Sequence, residues 1–163
     1  MRDLKIIFIF LICTGCSFKP LHSLKNRENS IKNFQYKILS YNKQNQRVNF
    51  FLDNELKNLL ESKNKNNYKY LLKIGYKIHR DNYLIYSNGS TKKKKIQVLL
   101  NYSIFSYNKK VILLSNKLIN CDTYSLTNID YFDSFNEEEL IIKMLTTLLQ
   151  ELKVELLIRF STT

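Results

Sequence analysis

The chain has 163 residues, with 26 Lys and Arg against 14 Asp and Glu, for a formal net charge of +12. Only three glycines are present, so a phosphate-cradling P-loop or dinucleotide fingerprint, which needs several closely spaced glycines, is excluded. Two histidines and three cysteines offer neither metal-ligand spacing nor a disulfide framework, so no metal and no cofactor is expected.

Residues 1–15 have the order of an export signal. Arg2 and Lys5 precede an apolar run over 6–12, and Cys13-Thr14-Gly15-Cys16 follows. The run is too short to span a bilayer, which takes roughly 20 apolar residues. A cysteine directly after a small pair is what a bacterial lipoprotein signal places at its cleavage point. Cys16 is therefore expected to be the lipidated first residue of the mature protein, anchoring it to a membrane. Without residues 1–15, which carry Arg2, Lys5 and Asp3, 148 residues with a net charge of +11 remain. That is one domain by size. In a cytosolic protein such charge would suggest nucleic acid. An exported domain does not meet nucleic acid; its natural anionic partners are lipid head groups and phosphorylated glycolipids.

Residues 16–30 are polar and irregular, contain the single proline, Pro20, and read as a tether. The folded domain is expected over 31–163. Phe34, Tyr36 and Ile38 alternate with Gln35, Lys37 and Leu39, as in a strand. Val48, Phe51, Leu52, Leu56, Leu59 and Leu60 recur at helical spacing, which predicts an amphipathic helix over 48–62; residues 64–67 are a polar break. Tyr68, Tyr70, Leu72, Ile74, Tyr76 and Ile78 then alternate with Lys69, Leu71, Lys73, Gly75, Lys77 and His79. A helix does not produce such strict alternation. One face of this strand should be core and the other wet and basic. A turn at Ser87-Asn88-Gly89-Ser90 follows, then Lys92, Lys93, Lys94 and Lys95. Residues 96–107 and 111–121 are two further strands joined as a hairpin through Asn108-Lys109-Lys110.

Ser134 with Glu137 three residues later has the form of a capping box. Glu138 and Glu139 sit where a helix dipole favours negative charge. Ile141, Met144, Leu145, Leu148, Leu149, Leu152 and Leu156 trace one apolar stripe, so a long helix is expected over 135–160. The order is β-α-β-β-β-α. Packing both helices on one face of a four-stranded, mostly antiparallel sheet buries every greasy side, which makes the fold class α+β. Strand order is not readable, because the first strand can pair on either side after its helical crossover. Cys121, lacking a partner, reads as a small buried apolar residue. Asp130 and Asp133 read as turn and cap chemistry, and no nucleophile–base pair marks an enzyme.

Several motifs carry a resemblance. Cys16-Ser17-Phe18-Lys19-Pro20-Leu21-His22 is similar to a mature start Cys-Gly-Phe-x-Pro-Leu-Tyr, with Ser17 and His22 as departures. Asn88-Gly89-Ser90-Thr91 resembles an Asp-Gly-Ser-Ala-x-Arg turn. Thr123-Tyr124-Ser125, Asp133-Ser134-Phe135, Glu137-Glu138-Glu139 and Leu157-Ile158-Arg159-Phe160 echo the C-terminal half of the same family. On these residues the chain resembles the LPS-assembly lipoproteins, LptE, in their alphaproteobacterial form. The resemblance implies two helices on a four-stranded sheet and no enzymatic activity. It also implies a place as a plug inside the LptD β-barrel of the outer membrane, with a part in barrel assembly and lipopolysaccharide transport.

Lys69, Lys73 and Lys77 fall on one side of one strand, and near neighbours on such a side stand about 7 Å apart. Like charges at that spacing repel, and phosphates would relieve them. With Lys92, Lys93, Lys94 and Lys95 they are the candidate lipopolysaccharide-binding residues. The alternative is an envelope binding or scaffold lipoprotein unrelated to lipopolysaccharide.

Overall fold

The computed structural model describes residues 31, 33–39, 45–60, 68–89, 91–108, 110–127 and 129–160. The signal over 1–15, the tether with Cys16 and the polar break over 64–67 lie outside the described residues. The elements are β1 (Phe34–Ile38), α1 (Gln46–Leu60), β2 (Tyr70–Ile85), β3 (Thr91–Ser106), β4 (Ile112–Ser125) and α2 (Asp130–Phe160). They form a four-stranded sheet in the order β1-β2-β3-β4. β2–β3 and β3–β4 are antiparallel, whereas β1 runs parallel to β2 with Phe34 opposite Tyr70 and Ile38 opposite Ile74. The β-α-β-β-β-α order and the α+β class agree with the pattern of the sequence.

The alternation in β2 builds the core. Leu72 and Ile74 are fully buried, and across the strand pair they meet Ile104 and Tyr102. α1 contributes Val48, Leu52, Leu56 and Leu60 to the same cluster, and α2 contributes its predicted stripe from Ile141 to Leu156. Both helices therefore lie against one face of the sheet. Phe34, Tyr70 and Phe160 close one end, with ring centroids 4.8 to 5.3 Å apart. Polar ties fix the helices on the sheet. Buried Tyr76 donates its hydroxyl to Asn49 Oδ1 at 2.6 Å. Tyr102 donates to Glu155, which Arg159 also meets at 3.1 Å. Tyr36 donates to Asp53 at 2.8 Å, and the same carboxylate meets Lys57 at 2.7 Å.

Three expectations are corrected. α2 begins at Asp130, a turn before the predicted start, and its first turn is closed by Asp133 N donating to Ile129 O at 3.0 Å. Ser134 thus lies inside the helix and is not its cap. Glu137 instead accepts from Arg80 at 2.5 Å and Tyr124 at 2.8 Å, while Asp133 accepts from the amide and hydroxyl of Thr127. Tertiary partners outcompete the local capping box. The hairpin of β2 and β3 is longer than the apolar pattern indicated, so Lys92 to Lys95 lie within β3 and not in the turn. Ser87, Asn88 and Gly89 form the turn at its end, Gly89 with φ +84°, where a side chain is disfavoured. Cys121 is exposed, because Leu118 turns toward the helices and odd positions of β4 therefore turn away.

Candidate functional site

The sheet face opposite the helices is the candidate site, and the pleat decides which side chains reach it. Ile38, Tyr36 and Phe34 pack on the core, so Gln35 and Lys37 take the open side of β1. Leu72, Ile74 and Tyr76 are core residues, so Lys69, Lys73 and Lys77 point the other way, as the sequence indicated. On β3, buried Ile96 and Val98 fix the phase: Lys95 and Lys93 join the open face, while Lys94 falls on the helix side. On β4, Lys117 and Cys121 are open-face residues.

Register brings cations together that sequence distance hides. Lys37 is the parallel partner of Lys73, about 4.8 Å away across the strands. Ser103 and then Ser115 continue that row, their hydroxyls 3.0 Å apart. Asn101 lies between Gly75 and Lys117 in the next row, and His79, Gln97 and Cys121 form another. There Gln97 Nε2 donates to Cys121 Sγ at 3.3 Å. The expected 7 Å spacing along β2 is corrected. Four residues separate Lys69 from Lys73 and Lys73 from Lys77, which is about 13 Å of strand. The close like-charge neighbours are thus across strands, Lys37 with Lys73. Strand order supplies that pair, and sequence alone does not provide it. Lys37 and Lys117 are the cations that sequence reading missed; Lys37 was visible in the alternation of β1, without its place beside Lys73.

The face is amphiphilic. The half-buried ammonium of Lys73 sits 4.2 Å from the centroid of the Phe105 ring, within cation–π range. Leu71, Phe105 and Ile112 form one apolar row, and Leu99 with Ile119 another. Asp81 opposite Lys95 is the one acid that register places among these described lysines. By contrast α2 carries seven acids, from Asp130 to Glu155, against Lys143, Lys153 and Arg159, while α1 balances Asp53 and Glu55 with Arg47 and Lys57. The domain is therefore polarised, basic on its open sheet and acidic along α2. Perturbed titrating groups cluster on the helix side and serve packing. Burial first, then the hydrogen bond to Glu155, raises the Tyr102 phenol well above its ordinary range. Burial and Glu137 do the same to Tyr124. Among the described residues no group of His, Cys, Asp and Glu is arranged to hold a metal ion, and no helix is long and apolar enough to cross a membrane.

This architecture, two helices on one face of a mixed four-stranded sheet, is shared with solved lipoproteins. A protein of Caulobacter crescentus described as a lipoprotein superposes with a TM-score of 0.63 at 8% identity, over 85% of this chain and 98% of that one. A minor lipoprotein from Acinetobacter baumannii gives a TM-score of 0.53 at 13% identity, over 76% of this chain and 91% of its own. Rare lipoprotein B from Shewanella oneidensis gives 0.50 at 12% identity, over 75% and 98%. At these identities the likeness is one of fold. No family model and no curated protein matches the sequence.

Proposed function

We propose that the chain is an envelope lipoprotein, tethered through an acylated Cys16, that plugs an LptD-type β-barrel of the outer membrane. There it assists barrel assembly and supports lipopolysaccharide transport, without catalysing a reaction. The observation that carries this reading is the fold likeness to lipoproteins, which extends over 98% of the Caulobacter protein. The Cys16 signal and the motifs resembling LptE support the finer role. The physical fit is reasonable on both sides. A barrel lumen is polar, and the open face of this sheet presents Lys37, Lys69, Lys73, Lys77, Lys95 and Lys117 with serines and asparagines between them. Phosphates of lipid A or core sugars would neutralise the Lys37–Lys73 pair, while the acyl-side groups meet Phe105 and Leu71. Three acyl chains on Cys16, each buried methylene adding about 0.8 kcal/mol, hold the protein at the membrane.

Purification of the tagged protein from native membranes in mild detergent tests the role. A large β-barrel recovered in roughly equal amount is the expected result. Recovery of only soluble or peptidoglycan-linked partners refutes it and favours the unrelated scaffold lipoprotein. Titration with purified lipopolysaccharide tests the lysines: reversing Lys37 and Lys73 to Glu weakens binding, and unchanged affinity removes them from the site.

A further inference from the structure

We infer that the far end of the β2–β3 hairpin is a second membrane contact, a blade that inserts into the head-group region of an anionic phospholipid bilayer. Tyr83, Leu84, Ile85 and Tyr86 are 63, 43, 54 and 50% exposed. Each of the positions from Asp81 to Gly89 is exposed, beyond the contact of Arg80 with Glu137 of α2. β4 accompanies β3 only as far as Lys93, opposite Ser125, with one further bond from Leu126 N to Lys92 O. Beyond that the hairpin projects alone.

Two features identify the partner. The apolar run has no alternation. Leu84 and Ile85, consecutive in β2, point to opposite sides, so greasy groups stand on both faces of the blade, with Tyr83 at the bulge between Asn82 and Leu84 and Tyr86 just past the strand. A protein docking on one face would leave the other wet, whereas a bilayer interface surrounds both. Tyrosine suits that setting, since its ring sits among acyl chains while its hydroxyl reaches water. The second feature is charge. Lys93 stands directly opposite Leu84 and Lys94 opposite Asn82, and Lys92 Nζ lies 5.4 Å from the Tyr86 ring centroid. Asp81, opposite Lys95, is the one acid that register places beside these four lysines. A collar of ammonium groups behind an apolar tip complements an anionic head-group layer.

The chain enters the sheet at the opposite end, where Asn33 O accepts from Lys69 N at 2.9 Å. From Tyr70 to Ile85 the strand is about 50 Å long. The first strand thus begins at the end of the sheet away from the blade. The inference takes only an envelope setting from the reading above and does not require a barrel, so the two fail independently.

The protein contains no tryptophan, so Tyr86→Trp installs a single indole at the blade, and Phe50→Trp installs one on α1 as a reference. Each full-length lipidated variant is reconstituted into phosphatidylcholine vesicles with or without phosphatidylglycerol, some with brominated acyl chains. The expected result is a blue-shifted, bromine-quenched indole at position 86 in the anionic vesicles, with the reference indole unchanged. Replacing Lys92, Lys93 and Lys94 by Gln in the Tyr86→Trp background lowers the ratio of inserted to water-exposed indole by roughly fivefold per lysine. A water-like emission at position 86 in anionic vesicles overturns the inference. So does quenching at both positions, which means the whole domain lies on the bilayer. Shielding that appears only when a β-barrel is co-reconstituted overturns it in favour of a protein contact.

Discussion

Glu137 is the point at which α2 is fixed to two strands, so removing it should cost far more than an ordinary surface substitution. Its side chain is only 15% exposed; it accepts from Arg80 Nε at 2.5 Å and from the Tyr124 hydroxyl at 2.8 Å. The Arg80 side chain is 38% exposed, so solvent screening limits that ion pair to about 0–1 kcal/mol. The phenol-to-carboxylate bond is half-buried and charge-assisted, worth about 1.5–3 kcal/mol when its acceptor is lost. Glu137→Ala should therefore destabilise the domain by about 2–3 kcal/mol, and Glu137→Gln, which keeps an acceptor, by about half as much. Urea unfolding followed by far-ultraviolet circular dichroism measures both. The pH dependence adds a second readout. Burial, and then the bond to Glu137, raises the Tyr124 pKa above that of the unfolded chain. A group raised in the folded state stabilises fully below its unfolded pKa, near 10, and loses that contribution as pH rises further. Without Glu137 the shift is smaller, so less is lost. The gap between native protein and Glu137→Ala should narrow above pH 10. A penalty below about 0.5 kcal/mol, the surface-substitution range, or a gap that is constant or widening above pH 10, refutes this account of Glu137.

Tyr76→Phe removes the buried bond to Asn49 at 2.6 Å and should cost about 1–2 kcal/mol in urea unfolding. A double-mutant cycle with Asn49→Ala should show coupling between the two positions. Leu148→Ala in the fully buried stripe of α2 should cost about 2–5 kcal/mol, read as a lowered urea midpoint. The hydrogen bond from Lys57 lowers the Asp53 pKa, against the opposing effect of burial, with Tyr36 also lowering it. The stabilisation it contributes is present above the unfolded value of 3.8 and disappears as pH falls through the lower folded value. Asp53→Asn should thus weaken the domain at neutral pH and behave like the native protein in strong acid.

The parts of the fold under strong burial were legible in the sequence. The alternation from Tyr68 to His79 and the stripe from Ile141 to Leu156 record which side of each element meets the core, and both are where expected. Where burial stops, the pattern stops too. Residues 81–89 are all exposed, so nothing in their order distinguishes a strand from a loop, and the projecting hairpin is not legible in the sequence. The site was legible strand by strand but not across strands. Lys69, Lys73 and Lys77 followed from phase alone. Pairing Lys73 with Lys37 required knowing that β1 lies parallel to β2 at the sheet edge. Lys94 left the group because one residue of strand reverses a side chain's direction, which a run of four identical residues cannot reveal. The capping box at Ser134 and Glu137 failed for another reason: a local motif describes what a helix start can do, and Arg80 and Tyr124 claim the carboxylate first.

The parallel edge strand also governs how the domain bears load. β1 has five residues and pairs on one side only, through a ladder to the first part of β2. A pull transmitted from the N-terminal side reaches this short ladder before it reaches the long meander of β2, β3 and β4. Detaching β1 forfeits few bonds, whereas the meander and α2 retain theirs. The domain is thus built with a yielding margin on the side of its entry and a stiff body behind it. Amides of β1 should exchange with solvent through local opening, while those of central β3 wait for global unfolding.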